Sequence, residues 1–210
     1  MIITYQGAES FKVQQGETVI AFNPISKDSK LKAARFGANV VLVSAHHPDF
    51  NGTDQMSFGE KSPFTIEGAG EYETQGIFIK GFAGVSEYGG KKIVNTSYLL
   101  SVDAMNICYL GALSGEVPPE LIEAAEDIDI LFVPIGGEGV LDASDAYKTA
   151  VKLEPKIVIP MHYGDIGADN ALKMFLKEGG KADLKAEDKL TIKKKDIEGK
   201  ENEIVVLASA

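Results

Sequence analysis

Two of the three histidines in the chain, His46 and His47, lie beside the carboxylate of Asp49 in one short polar segment. This segment follows an aliphatic run at 39–43 that has the length and composition of a buried strand. The third histidine, His162, ends a second aliphatic run that passes into a polar loop. Since α/β proteins place functional groups in loops at the carboxyl ends of strands, these two loops are the candidate functional site.

Imidazole and carboxylate groups are the side chains expected around a catalytic metal ion. If His47, Asp49 and His162 converge, they can hold one Zn, Fe or Mn ion with open coordination positions. The metal would acidify a bound water, which could then attack an ester, lactone or phosphoester. The alternative is that the three side chains only form hydrogen bonds with one another and with the backbone. The sequence leaves both interpretations open.

Two further polar residues are candidates to line the same cleft. His46 is adjacent to His47, and its side chain is expected on the opposite face of the extended backbone, where a packing or surface role is the default. Glu71 follows Gly68-Ala69-Gly70, and carboxylates flanked by glycine often line sites. The same glycines are equally typical of turns, so Glu71 has a structural interpretation as well.

Composition excludes several classes of protein. A net charge of -10 over 210 residues argues against a nucleic-acid partner, because binding to phosphate backbones requires clustered Lys and Arg. Cys108 is the one cysteine, which rules out an intrachain disulfide and a thiolate zinc cage. The amino terminus lacks a secretory pattern and no run is long enough to span a bilayer, so we expect a cytoplasmic protein without a membrane partner.

The chain divides into a β-rich half at about 1–103 and a half at about 104–210 in which strands and helices alternate. In the first half the pattern predicts three antiparallel strands before residue 23, a helix over 27–36, a strand over 39–43, and further strands joined by hairpin turns such as 87–90. In the second half it predicts helices over 118–126, 142–153 and 169–177, and a closing hairpin of strands 189–192 and 203–207.

Three motifs carry a resemblance to a known family. They are Ala45-His46-His47-Pro48-Asp49-Phe50, which occupies the frame of a His-x-His-x-Asp-His motif, and the stretches 129–137 and 160–164. The chain resembles the metallo-β-lactamase superfamily, and within it the branch of zinc-dependent hydrolases that contains the ascorbate-6-phosphate lactonase. The resemblance runs almost end to end. It implies one domain over 1–210, an α/β sandwich of two mixed sheets with outer helices.

The resemblance also shows where metal ligands are replaced. In the central motif Ala45 and Phe50 stand where the family has histidines, so only His47 and Asp49 fall on ligand positions. The family's Gly-Asp-Thr turn aligns with Gly111-Ala112-Leu113, which removes the bridging aspartate. Its opening Gly-His-Ala-Ser-Phe reads Gly7-Ala8-Glu9-Ser10-Phe11, and its Asp-Pro reads Asn23-Pro24. We therefore expect no dinuclear centre, and we expect Ala45, Phe50 and Ala112 to line the cleft.

Two functions follow as hypotheses. The first is a protein of the metallo-β-lactamase fold with a degenerate metal site, which binds a small-molecule ligand through the old cleft without hydrolysis. The alternative is a mononuclear metal-dependent hydrolase that uses His47, Asp49 and His162. The sequence carries no indication of an oligomeric state.

Overall fold

Two mixed β-sheets form the framework of the protein in a computed structural model, which describes residues 1–60 and 62–210. The described strands are, in chain order, β1 (Ile2–Tyr5), β2 (Phe11–Gln15), β3 (Thr18–Phe22), β4 (Val40–Leu42), β5 (Phe64–Ile66), β6 (Gly70–Thr74), β7 (Ile77–Ser86), β8 (Ile93–Val102), β9 (Met105–Tyr109), β10 (Ile130–Pro134), β11 (Ile157–Met161), β12 (Leu190–Thr191) and β13 (Glu203–Ile204). The described α-helices are α1 (Pro119–Ala124), α2 (Ala143–Leu153) and α3 (Ala171–Glu178), and three short 3-10 helices lie at Thr53–Met56, Tyr88–Gly90 and Lys194–Ile197.

The first sheet has the strand order β12-β1-β2-β3-β4-β5. Strands β1, β2 and β3 pair antiparallel, as the sequence predicts, whereas β3, β4 and β5 pair parallel. Buried and partly exposed residues alternate along β2, but β4 is buried at every position. This difference explains why the sequence of β4 is a continuous aliphatic run, since both of its faces are covered.

The second sheet has the order β13-β11-β10-β9-β8-β7-β6. It begins as an antiparallel meander from β6 to β9 and continues with the parallel strands β10, β11 and β13. The parallel strands β10 and β11 are buried throughout. Their carboxyl ends therefore lie at one edge of the sandwich and carry its loops to the same place.

Aromatic residues from both sheets meet in the core. The rings of Phe11 and Phe132 have their centroids 4.6 Å apart, and those of Phe22 and Tyr109 are 4.8 Å apart. All four side chains are fully buried. Aromatic pairs at this separation contribute about 1 kcal/mol each beyond the area that they bury. The two sheets are thus held face to face directly beneath the loops that carry the histidines.

The three described helices pack on the outer face of the second sheet. Leu121 of α1, Ala146 of α2 and Phe175 of α3 share one apolar cluster with Leu131 and Val158 of the sheet. Local sequence fixes the starts of α1 and α2. Proline lies in the first turn of α1, and the Asp142 side chain accepts a 2.9 Å hydrogen bond from the Asp145 amide at the start of α2. The predicted second-half helices and the sandwich of two mixed sheets are confirmed.

The helix predicted over 27–36 is wrong, because this segment is irregular in the structure. The hydroxyl of Ser26 accepts from the Asp28 amide at 3.2 Å, and the hydroxyl of Ser29 accepts from the Leu31 amide at 2.9 Å. Serine side chains that bind nearby amides compete with helical hydrogen bonds. Phe36, at the end of the segment, packs on the outer face of the first sheet instead of on a helical turn.

The predicted closing hairpin is also wrong. Strand β12 pairs antiparallel with β1 in the first sheet, whereas β13 pairs parallel with β11 in the second. The two strands cover one edge of each sheet, and edges that remain open are available for unwanted pairing. Between them Ile197 enters the core that both sheets share. Within residues 1–60 and 62–210, no helix has the length and apolar character needed to cross a membrane.

Candidate functional site

Four rings meet at the candidate site and form what we call the aromatic cluster: His47, Phe50, Tyr88 and His162. The centroid of the Tyr88 ring lies 4.9 Å from His47, 5.0 Å from Phe50 and 5.0 Å from His162. Its contacts with both imidazoles are edge to face. Tyr88 therefore neighbours both histidines that the sequence predicts as metal ligands, and it lies closer to each than Phe50 does.

The hairpin between β7 and β8 delivers Tyr88 to this position. The sequence predicts a turn at 87–90, and the structure confirms the hairpin through the pairing of Ser86 with Ile93. Gly89 follows Tyr88 with a φ of 76°, a value that favours glycine. A Cβ atom on Gly89 would lie 3.3 Å from Nε2 of His47, so glycine also allows the hairpin to approach the histidine loop.

Hydrogen bonds occupy both carboxylate oxygens of Asp49. Oδ1 accepts from the hydroxyl of Ser29, and Oδ2 accepts from the phenol of Tyr88 at 2.7 Å. Burial, together with the hydrogen bond to the Asp49 carboxylate, raises the pKa of Tyr88 far above its usual range, so the phenol remains a donor. Nδ1 of His47 lies 3.4 Å from Oδ2 of Asp49 and accepts from the Asp49 amide at 3.2 Å.

A second group of side chains, which we call the polar network, consists of Glu9, Asn23, Ser44 and His162. Oε1 of Glu9 shares a 2.6 Å hydrogen bond with Nδ1 of His162, and both side chains are fully buried. Nδ2 of Asn23 lies 2.8 Å from Oε2 of Glu9 and 2.7 Å from Oγ of Ser44. The network thus connects loops of the first sheet to the loop after β11. Buried polar groups need such partners, because an unpaired one costs about 1–3 kcal/mol.

Backbone contacts fix the two ends of the polar network. The Ala8 carbonyl accepts from the His162 amide at 2.6 Å and from the Tyr5 hydroxyl at 2.8 Å. The hydroxyl of Tyr109 donates to the carbonyl of Glu9 at 2.8 Å. His162 has a φ of 63°, which is uncommon for a residue with a side chain and costs of order 1–3 kcal/mol. The surrounding contacts therefore hold His162 in a strained conformation.

The apolar residues predicted to line the cleft come together as a packed group. Ala45, Phe50 and Ala112 are buried in one cluster with Val140, and Tyr88 packs against it. Gly111 makes this approach feasible, because a Cβ atom there would lie 2.3 Å from Cβ of Ser44. The apolar residues predicted to line the cleft are thus in mutual contact.

The two other predicted cleft residues lie away from this cluster. His46 is exposed, whereas Ala45 and Phe50 are buried. Glu71 lies on the edge strand β6 with 76% of its side chain exposed, and it forms a 2.9 Å ion pair with Lys80 on β7. The hydrogen bond and charge of Lys80 lower the pKa of Glu71. The structure does not bring either residue to His162.

These contacts test whether the residues fit a metal ion. Both carboxylate oxygens of Asp49 accept hydrogen bonds, and Tyr88 lies against both imidazoles. Glu9 occupies Nδ1 of His162 and leaves the other ring nitrogen free. Nε2 of His162 is the one ring nitrogen among the buried described groups without a partner. Over residues 1–60 and 62–210, no three His, Cys, Asp or Glu side chains form a group that could hold a metal ion. The described arrangement does not fit a catalytic metal site, because such a site requires three protein ligands.

The sequence did not single out three of the residues that organise the site. Glu9 lies within a motif that marks the family, but there it signals only a departure from the pattern. Asn23 likewise stands in a motif where the resemblance marks only a departure, and Tyr88 has no local signal for its contacts because its partners are distant in the chain. The one available sign was the carboxylate of Glu9 in the short loop between β1 and β2. When both strands enter the core, such a loop is buried and its carboxylate needs a partner.

Curated relatives match most of the chain. A protein of Carboxydothermus hydrogenoformans named UPF0173 metal-dependent hydrolase is 27% identical, and the match covers 78% of this chain and 84% of the relative. A protein of the same name from Lysinibacillus sphaericus is 26% identical, with 78% of this chain and 85% of the relative covered. The similarity extends over both the β-rich half and the alternating half.

Solved structures share the fold. A Thermotoga maritima crystal structure described as a member of the metallo-β-lactamase superfamily superposes with a TM-score of 0.75 at 25% identity, and the match covers 98% of this chain and 97% of that one. The metallo-β-lactamase fold protein YhfI of Bacillus subtilis gives a TM-score of 0.62 at 10% identity, over 100% of this chain and 97% of that one. The predicted fold is therefore confirmed.

A family model described as the beta-lactamase superfamily domain matches residues 2–162, which include every strand from β1 to β11 and all members of the aromatic cluster. That match covers more than half of the chain, and its superfamily is the one that the sequence motifs resemble. The chain belongs to the beta-lactamase superfamily domain family and has the metallo-β-lactamase fold.

Proposed function

We propose that this protein binds a small-molecule ligand without a catalytic metal and does not hydrolyse it. The position of Tyr88 carries the proposal. Its ring contacts His47 and His162, and its phenol donates to Asp49, so one side chain engages all three candidate ligands. A metal ion would have to displace this ring and break that hydrogen bond.

The polar network gives most of its buried polar groups partners within the protein. In a metal centre, His162 would direct a nitrogen towards the ion, and a second carboxylate or histidine would share the ion. Here Glu9 binds Nδ1 of His162, and Asn23 connects Glu9 to Ser44. These hydrogen bonds give the Glu9 carboxylate and the Asn23 amide partners without an ion. A carboxylate on Nδ1 is also the usual partner of a metal-ligating histidine, so this contact by itself does not separate the two functions.

The alternative is a mononuclear hydrolase of a small ester, lactone or phosphoester that uses His47, Asp49 and His162. Two observations favour it. The relatives bear the name of metal-dependent hydrolases, which suggests a metal ion. Nε2 of His162 is buried without a partner, and such an atom is available for a ligand. His47, Asp49 and His162 would hold the metal, which would supply an acidified water, and Tyr88 would have to leave its position.

Metal analysis of the purified protein separates the two functions. Protein produced with Zn, Mn and Fe in the medium and purified without chelator is analysed by mass spectrometry of the elements. We expect far less than one ion per chain, with no change in His162→Ala or Asp49→Asn. One ion per chain that is lost in both variants, and kept in the exposed control His46→Ala, would overturn the proposal and support the hydrolase.

A further inference from the structure

A cavity of about 770 Å³ lies beside the polar network, between the start of the first sheet and the irregular segment that replaces the predicted helix. Its lining includes Ala8, Lys12, Lys32, Arg35 and Phe36. A volume of this size is in the range that holds small molecules and cofactors. We call it the basic cavity.

Cations dominate the charged groups of the basic cavity. Lys12, Lys32 and Arg35 line it, and Asp165 is the one acidic side chain among the described lining residues. The chain as a whole carries a net charge of -10, and Arg35 is its only arginine. The cavity therefore concentrates positive charge on a protein that is otherwise strongly acidic, which attracts an anionic ligand.

In the part of the chain that the structure describes, these cations form no ion pair. Among the described residues, the salt bridges within 4.0 Å involve other lysines and the histidines, and none includes Lys12, Lys32 or Arg35. The ammonium of Lys12 lies 5.5 Å from the ring centroid of Phe36, which orients it by a cation–π contact. Arginine presents paired donors that match the oxygens of carboxylate and phosphate groups.

The irregular segment holds the basic cavity open. At one end the hydroxyl of Ser29 binds Asp49, and at the other the Ala38 amide donates to the Met56 carbonyl at 2.9 Å. If residues 27–36 formed a helix, their side chains would point in other directions and would not line the cavity in the same way. Because the segment is attached at both ends, a ligand meets a cavity that is already formed.

One lining residue of the basic cavity also contacts the candidate site. Ala8 lines it, and the carbonyl of Ala8 accepts from the His162 amide at 2.6 Å. We propose that the basic cavity binds a small organic anion through Arg35, Lys12 and Lys32, with a phosphate or carboxylate as the charged group. This inference rests on the proposed function, because it names the ligand class of a protein that binds without hydrolysis.

Titration calorimetry at low ionic strength tests the proposal on full-length protein that has been treated with chelator and dialysed. Inorganic phosphate and succinate are the two probes, and they distinguish a phosphate from a carboxylate ligand. We expect at least one of them to bind one site per chain, about tenfold more weakly in Arg35→Gln, since a charge-assisted contact is lost. Lys32→Gln should weaken the same binding.

Lys152→Gln is the matched control, because Lys152 is an exposed lysine on α2, on the outer face of the other sheet. It should bind the probe as the unsubstituted protein does. Absence of binding by both probes, or equal weakening in Lys152→Gln and Arg35→Gln, would overturn the proposal. The metal analysis is independent of this experiment. If the protein binds the anion and also carries one metal ion per chain, the proposal for the basic cavity stands and the proposed metal-free function is refuted.

Discussion

The phenol of Tyr88 donates a 2.7 Å hydrogen bond to Asp49, although 39 positions separate the two residues in the chain. The bond ties the tip of the hairpin between β7 and β8 to the loop after β4, and so connects the second sheet to the first. It also places the ring against His47 and His162. This contact between two loops closes the site. Substitutions that remove it measure how much it contributes to the stability of the protein.

Removing the phenol alone should weaken this closure. Tyr88→Phe keeps the ring and loses the hydrogen bond to Asp49, and we expect the free energy of unfolding to fall by about 1–2 kcal/mol. Tyr88→Ala also loses the packing against Phe50 and should cost about 3 kcal/mol. Urea unfolding followed by circular dichroism measures both. Tyr147→Phe is the control, because the described contacts include no hydrogen bond from the Tyr147 hydroxyl, and a loss of equal size there would contradict the interpretation.

Glu9 and His162 should be energetically coupled, because they share a hydrogen bond that is fully buried. We expect Glu9→Ala to reduce the free energy of unfolding by about 3 kcal/mol, since it leaves His162 without its partner. His162→Asn is preferred to alanine, because asparagine tolerates the positive φ of this position. In a double-mutant cycle the coupling should be about 1–3 kcal/mol. Additive effects of the two changes would refute the polar network as a unit.

Asp129 should support stability at neutral pH and lose this effect in acid. Burial alone would raise the pKa of Asp129, but the ammonium groups of Lys156 and Lys194 and the Asn106 amide outweigh it and lower the pKa below the ordinary value of 3.8. The contribution is therefore complete above pH 3.8 and disappears as the pH falls through the lower folded-state value.

The corresponding experiment compares Asp129→Ala with the unsubstituted protein. At pH 7 the substitution should cost about 2 kcal/mol, because it removes hydrogen bonds to charged groups. The difference should shrink as the pH is lowered below 3.8. The exposed pair of Asp145 and Lys148 supplies the control, and Asp145→Ala should show a small difference at every pH.

Ionisation of three core tyrosines should destabilise the folded protein in strong alkali. Burial raises the pKa values of Tyr5, Tyr98 and Tyr109 above the ordinary value of 10.0. The unfolded chain releases these protons above that pH while the folded chain keeps them, so the free energy of unfolding falls as the pH rises beyond 10.0. Phenolate absorbance should therefore show these groups ionising together with unfolding. Their ionisation before any change in circular dichroism would contradict the prediction.

Much of the fold could be predicted from the sequence because its signals are local. The buried parallel strand β4 is a continuous aliphatic run, and α2 has an N-cap at Asp142 and a periodic apolar face. The segment 27–36 has helix-forming residues as well, but serine hydroxyls and the packing of Phe36 decide its structure. The closing strands also look alike in sequence, and their separation into two sheets depends on which edges are open.

The sequence by itself determined the family, the order of most elements and the loops that form the candidate site, since these follow from periodicity and motifs. Only the tertiary structure decided what those loops do together. Tyr88 reaches His47 and His162 because two sheets place a hairpin over a loop, and Glu9 reaches His162 across 153 positions of the chain. No local sequence pattern predicts contacts between residues so far apart in the chain. They are set by the packing of the two sheets, which brings side chains from separate strands to one point.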